Sequence, residues 1–227
     1  MKTLIQIRNL TIGHKGRTLF SSVSFDICEG ECIMLCGANG SGKTTLMKTI
    51  AAGSECVSPA KGCETVMIPS RIPKTKGFTV KEFIRISCYS HSDIGGRLSK
   101  EQEALLENAI EKMGLKHLSD RDISTLSDGE FQKAGIASAL VRKADVIMLD
   151  EPTAFLDAEN RISVLQTLRK LCSEQSYGRR PAIIFSTHEL QDGLAVADKV
   201  IALGSDGKLR CEEKDLKGAV NTIFHRH

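Results

Sequence analysis

The chain has 227 residues, 41% of them hydrophobic, with 31 basic side chains against 28 acidic ones. This length suits one α/β domain with smaller appended parts and a normal core, and the near-even charge balance offers no basis for binding nucleic acid. No apolar stretch approaches the ~18 residues of a membrane span, and Met1-Lys2-Thr3 leads directly into a strand pattern in place of a signal peptide. Any membrane role is therefore expected to come through a partner, with no direct membrane insertion.

Residues 1–30 alternate apolar and polar side chains in a way that predicts antiparallel strands. Glu31 to Cys36 form a short, mostly apolar run ending at Gly37, and Lys43 to Ala52 read as a helix closed by Gly53. Between them, Gly37-Ala38-Asn39-Gly40-Ser41-Gly42-Lys43-Thr44 matches the G-x-x-x-x-G-K-[ST] phosphate loop. A triphosphate needs many donors close together. Gly40 and Gly42 keep the loop free of side chains so that backbone N–H groups can converge on phosphate oxygens, and the helix start adds its positive dipole end. Lys43 then reaches the β and γ phosphates, while the Thr44 hydroxyl ligates the magnesium ion that bridges them.

A second strand-rich piece is predicted at Lys61 to Ile68, after which the pattern turns helical from Val80 to Ala144. Within it, Ala104-Leu105 with Ala109, Ile110 and Met113 make one apolar face, and Gly114 is the expected C-cap. Leu126-Ser127-Asp128-Gly129-Glu130 reads as a helix start, with Ser127 as N-cap and Glu130 completing a capping box. Such a start offers a hydroxyl, N–H groups and a dipole to an anion.

Val146 to Leu149 are four consecutive apolar residues, as in a strand buried on both faces of a parallel sheet, and Asp150 and Glu151 follow at its carboxyl end. Open α/β sheets bind ligands at that end, so Asp150 is expected to bind magnesium and Glu151 to face the attacking water. Opposed directions of adjacent side chains on an extended segment would separate the two tasks. Ala182 to Phe185 form another buried-strand run that delivers Ser186, Thr187 and His188 to the same edge, where His188 can hydrogen-bond a γ phosphate. His14, His91, His117, His225 and His227 have no such setting. The eight cysteines, Cys28, Cys32, Cys36, Cys56, Cys63, Cys88, Cys172 and Cys211, contain no C-x-x-C pair and are expected to be reduced core residues of a cytosolic protein.

The Leu126 to Glu130 segment closely resembles the signature motif of ABC ATPases, usually written LSGGQ. The resemblance extends from Leu4 to about Gly207. It makes Gly37 to Thr44, with Thr45, the Walker A loop and Val146 to Asp150 the Walker B strand. Glu151 becomes the catalytic glutamate, Leu156-Asp157 the D-loop and His188 the switch histidine, with Lys43 sharing in catalysis. It implies a P-loop α/β core with a mainly parallel sheet, an N-terminal antiparallel β subdomain and a helical subdomain inserted at about 71–144, all within a single ABC ATPase domain over 1–227. ATP and Mg2+ are the implied cofactors, with Thr44 and Asp150 on the metal. The implied assembly is a head-to-tail homodimer in which Ser127 and Gly129 of one copy meet the ATP of the other and Asp157 crosses the interface. It implies a cytoplasmic protein, peripheral on the inner face of the membrane and bound to integral-membrane permease subunits. The helical subdomain would receive the permease's coupling helix.

Gly77-Phe78-Thr79-Val80-Lys81-Glu82-Phe83, Gly96-Arg97-Leu98-Ser99, Asp122 to Glu130 and Thr153-Ala154-Phe155-Leu156-Asp157 are similar to the ATPases of iron-chelate, haem and cobalamin importers. The short tail after Gly207 is not expected to hold a regulatory domain. Three positions depart from the family pattern. Ile12 stands where an aromatic stacks on adenine and is expected to contact the nucleotide by dispersion without a π face, Ser70 follows Pro69 where the Q-loop glutamine is usual, and Phe131 replaces a basic residue after the signature. The rival readings are a soluble ABC ATPase of an assembly complex, as in iron-sulfur cluster assembly, and an ABC ATPase of DNA or ribosome work. The second is disfavoured by the absence of a coiled-coil insertion, a tandem second domain or a basic stripe.

Overall fold

The computed structural model describes residues 1–14, 16–70, 73–88, 97–154, 156–175, 180–204 and 208–212. They fall into two compact units: Met1–Ser70 with Asp145–Ala154 and Leu165–His227, and Arg71–Ala144 with Phe155–Val164.

The first unit is built on two sheets. Strands β1 (Thr3–His14) and β2 (Arg17–Cys28) form a long antiparallel pair, joined on the other side of β1 by the short β4 (Val57–Pro59). The larger sheet uses β3 (Cys32–Gly37), β5 (Thr65–Ile68), β6 (Val146–Leu149), β7 (Ala182–Ser186), β8 (Lys199–Leu203) and β9 (Leu209–Glu212), in the order β5-β6-β7-β3-β8-β9. All its pairings are parallel except β8 with β9. The sequence pattern explains this arrangement. Strands β3, β6, β7 and β8 are buried along their whole lengths, as parallel strands covered on both faces must be.

Ile33, Leu35, Met148, Ile184 and Ile201 join one core with Ile5, Ile7, Ile27 and Phe20 of the smaller sheet and with Leu46, Met47 and Ile50 of helix α1 (Lys43–Ala52). The alternate residues Met34, Ile147, Ile183, Phe185 and Val200 are equally buried. Within the segment expected at Lys61 to Ile68, only Thr65–Ile68 is a strand. Residues 61–62 form a turn in which Gly62 has φ +74°, a conformation that breaks the extended run. Four cysteines, Cys32, Cys36, Cys88 and Cys172, are buried, and Cys211 is exposed. No disulfide forms among the described residues, and burial does not extend to every cysteine as the sequence suggested.

The second unit is helical: α2 (Val80–Ile86), α3 (Lys100–Lys112) and α4 (Asp128–Val141), with 3-10 turns at Lys116–Leu118 and Ile123–Thr125. Each of the three helices opens with a reciprocal capping box, Thr79 with Glu82, Ser99 with Gln102 and Ser127 with Glu130. Two orphan donors are satisfied at every start. Helix α3 ends in a Schellman motif, in which Leu115 N donates to Ile110 O, Gly114 N donates to Glu111 O, and Gly114 takes φ +67°. Its buried face is Leu105, Leu106, Ala109 and Ile110 with Met113 below. Ala104 is exposed, because the apolar stripe runs in i+3 and i+4 steps from Leu106. Helix α5 (Ala158–Ser173) follows β6, and α6 (Leu190–Val196) follows β7. No helix among the described residues is long and apolar enough to cross a membrane.

Candidate functional site

The loop between β3 and α1 requires glycine at three positions. A Cβ on Gly37 would lie 2.7 Å from Ser41 Oγ and 2.8 Å from Leu203 O. Gly42 takes φ +103° and presses on Leu19, to which a Cβ would come within 3.0 Å, and Gly40 takes φ +75°. Gly42 occupies the N-cap position of α1 without a side-chain cap, so the N–H groups of the first turn remain directed at the loop. Ala38 and Asn39 are exposed at the loop's crest, and Thr45 lies in the first turn, half-buried.

Lys43 is only 6% exposed, and its Nζ donates to the carbonyls of Gly37 at 2.9 Å and Ala38 at 3.2 Å. Burial lowers its pKa, an effect opposed by the negative charges of Glu151 and Asp150. Ser41 Oγ is buried and has no hydrogen-bond partner among the described residues. A buried cation, an orphaned hydroxyl and a glycine cradle together fit a polyphosphate.

The carboxylates stand across β7 from this loop. Asp150 is 7% exposed, and both its oxygens are engaged: Thr44 Oγ1 donates to Oδ2 at 2.7 Å and Ser186 Oγ donates to Oδ1 at 2.9 Å. Ser186 Oγ in turn accepts from Glu151 N at 2.7 Å. Glu151 Oε1 lies 2.7 Å from His188 Nε2. The structure thus brings Lys43, Thr44, Asp150, Glu151 and His188 together at the carboxyl ends of β3, β6 and β7. The different directions of Asp150 and Glu151 do not come from strand alternation, as expected from sequence. Strand β6 ends at Leu149, and Glu151 takes φ +50°, a left-handed conformation that re-aims its side chain. Ser186, fully buried, was read from sequence only as part of the run before His188. Its bridging position follows from β7 lying between β6 and β3.

In the second unit, Ser127 caps α4. Glu130 N donates to Ser127 Oγ at 3.3 Å, while Glu130 Oε2 accepts from Ser127 N at 2.8 Å and from Ser127 Oγ at 2.9 Å. The Ser127 backbone N–H is the main cause of Glu130's lowered pKa. Gly129 faces Asn160, whose Oδ1 would lie 3.3 Å from a Cβ there. Asn160 N and Nδ2 donate to the two oxygens of Asp157 at 2.8 and 2.9 Å, and these bonds lower the Asp157 pKa. Asn160 therefore connects Gly129 with Asp157. Sequence reading passed over it, although an aspartate just before a helix is a capping signal whose carboxylate accepts from the N–H three residues on.

Two of the three departures take on a different meaning in the structure. Ile12 is 1% exposed, pairs with Phe20 across the β1–β2 ladder and packs into the core. It presents no face to a base, which corrects its assignment as a nucleotide contact. Phe131 is buried against Phe83 with ring centroids 5.7 Å apart, so it serves the helical core where a basic residue was expected. Ser70 is exposed just beyond β5. Of the motif positions read from sequence, Gly96 and Phe155 lie outside the described residues, as do His91, His225 and His227.

A model of the ABC transporter family matches residues 20–154. The chain is 30% identical to the achromobactin transport ATP-binding protein of Dickeya dadantii, over 88% of this chain and 79% of that one. It is 31% identical to an aliphatic sulfonates import ATP-binding protein of Streptomyces avermitilis, over 92% and 75%. Among solved structures, an inward-facing metal-chelate type ABC transporter superposes with a TM-score of 0.87 at 22% identity, covering 99% of this chain and 90% of that one, a likeness of fold. With its phosphate loop, its Asp150–Glu151 pair and a family match across more than half its length, the chain belongs to the ABC transporter family and is one of its ATPases.

Proposed function

We propose that this chain is the ATP-hydrolysing subunit of an importer for iron chelates or the related haem and cobalamin, working as a head-to-tail homodimer on integral-membrane permease subunits at the inner face of the cell membrane. The carrying observation is the Glu151–His188 pair beside the Thr44–Asp150 contact. The substrate class is supported by the achromobactin relative and by the motifs shared with that group of importers.

In this reading Lys43 exchanges its bonds to Gly37 O and Ala38 O for β and γ phosphate oxygens, and the Ser41 hydroxyl gains a partner. Mg2+ held by Thr44 and Asp150, with waters completing its shell, would neutralise charge developing on the phosphates. Ser186 keeps Asp150 oriented. Glu151 polarises the attacking water, and His188, released from Glu151, bonds the γ phosphate. Ser127 must give up its bond to Glu130 Oε2 to donate to the partner copy's nucleotide, while it still accepts from Glu130 N.

Glu151→Gln tests the mechanism. It is expected to bind ATP, to hydrolyse it on the order of 10² more slowly, and to accumulate dimers in size-exclusion chromatography with ATP and magnesium. Wild-type turnover in that variant would remove Glu151 from the reaction. Cells carrying Lys43→Ala should lose uptake of ferric chelates and keep uptake of sulfonates, and the reverse pattern would reassign the substrate class.

A further inference from the structure

The start of α4 carries two carboxylates, Asp128 and Glu130, at the end that the proposed function assigns to a triphosphate. Acidic groups in a first turn stabilise an isolated helix, but they oppose an anion approaching the same end. Glu130 is committed to the Ser127 capping box. Asp128 has no such role there, and its side chain is 60% exposed.

The compensating charge comes from outside the helix. Lys74 Nζ donates to Asp128 Oδ1 at 2.7 Å and to Leu126 O at 2.8 Å, and it stands 5.5 Å from the centroid of the Phe131 ring. Its three contacts converge on the turn that contains Ser127. Phe131, fixed by Phe83, supplies a buried π face beneath the ammonium. The carbonyl of Leu126 immediately precedes Ser127 in the chain, so the same ammonium restrains the backbone that presents the Ser127 hydroxyl. An exposed ion pair contributes little to folding, so the consequence of this one lies in charge and in the orientation of the turn.

We propose that Lys74 is a positioning residue for the signature: it neutralises Asp128 and braces the Leu126–Ser127 turn, so that α4 meets the nucleotide of a second copy with its dipole uncancelled. The proposal rests on the head-to-tail reading above and assigns a task to a residue outside every motif. It also gives the aspartate at this signature position a fixed partner, since Asp128 without Lys74 is a charge of the wrong sign.

The test compares the wild type with Lys74→Met, Lys74→Arg and Lys74→Met/Asp128→Asn. Three quantities are measured: ATP turnover against ATP concentration, binding of a fluorescent ATP analogue to dilute monomer, and ATP-driven dimerisation in a Glu151→Gln background. Lys74→Met is expected to raise the KM for ATP by about twofold to fivefold and to weaken dimerisation, with monomer affinity and thermal midpoint unchanged. Lys74→Arg should restore most of the loss, and Asp128→Asn in the Lys74→Met background should relieve it, because it removes the uncompensated charge. A silent Lys74→Met, or a defect that Asp128→Asn leaves in place, overturns the proposal. Ser127→Arg separates this from the reading beneath it. Full dimerisation and turnover in Ser127→Arg would sink the head-to-tail arrangement itself, whereas an inactive Ser127→Arg beside a silent Lys74→Met sinks the role of Lys74 alone.

Discussion

Ser186 and Asp150 are joined by a hydrogen bond of 2.9 Å between a fully buried hydroxyl and a carboxylate that is itself almost buried. Because the same hydroxyl accepts from Glu151 N, one atom of β7 fixes the two acidic residues that follow β6. Glu151 holds a left-handed backbone conformation, which persists only where its surroundings determine it. Ser186→Ala removes both bonds and leaves the partly buried Glu151 N–H without its acceptor. It should cost about 1–3 kcal/mol of stability and lower turnover by roughly tenfold or more, with ATP affinity nearly unchanged. Thermal denaturation, nucleotide titration and steady-state kinetics read the three quantities. A large loss of ATP affinity would show that the hydroxyl serves the phosphate loop in place of the carboxylates.

Ile12 gives a prediction opposite to that of a nucleotide contact. A tyrosine there would have to enter a filled core, and overpacking of this kind costs typically about 1–3 kcal/mol. Ile12→Tyr should therefore lower the thermal midpoint without tightening ATP binding. A gain in affinity on titration would mean that the β1–β2 end opens to admit the base.

Gly42 combines φ +103° with a close approach to Leu19. An alanine there meets both a strained backbone and a side chain in its way, so Gly42→Ala should cost about 1–3 kcal/mol and should displace the loop from the phosphate position. Isothermal titration with ATP and a melting curve without it separate the two effects. Unchanged binding would show that the loop reshapes freely.

The capping carboxylate Glu130 supplies an acid-sensitive part of stability. Its pKa in the folded protein is lowered, chiefly by the Ser127 N–H, so its contribution is fully present above the ordinary carboxylate range and is lost as pH falls through the folded value. Glu130→Gln keeps an acceptor for Ser127 N but cannot titrate. The wild type should be the more stable of the two near pH 7, and the difference should shrink as the pH falls below the ordinary carboxylate range. Melting curves across that interval check the sign, and a gap that widens on acidification would contradict the assignment.

What the sequence determined by itself was local. The phosphate loop, the buried runs of β3, β6 and β7, and the capping box at Ser127 are legible because their partners stand within a few residues or because strands covered on both faces leave a continuous apolar pattern. The tertiary structure decided what depends on register and strand order. A register shift between Ile7 and Leu10, where Asn9 takes φ +51°, resets the two-residue alternation, so the inward orientation of Leu10 and Ile12 cannot be counted from Ile5 and Ile7. Ser186 meets Asp150 across 36 residues of chain because β7 lies next to β6, and Lys74 reaches Asp128 across 54 because the helical unit folds its first segment against the start of α4. Such bonds join groups whose spacing in sequence carries no period. Only the packed chain brings the hydroxyl and the ammonium to the carboxylates they hold.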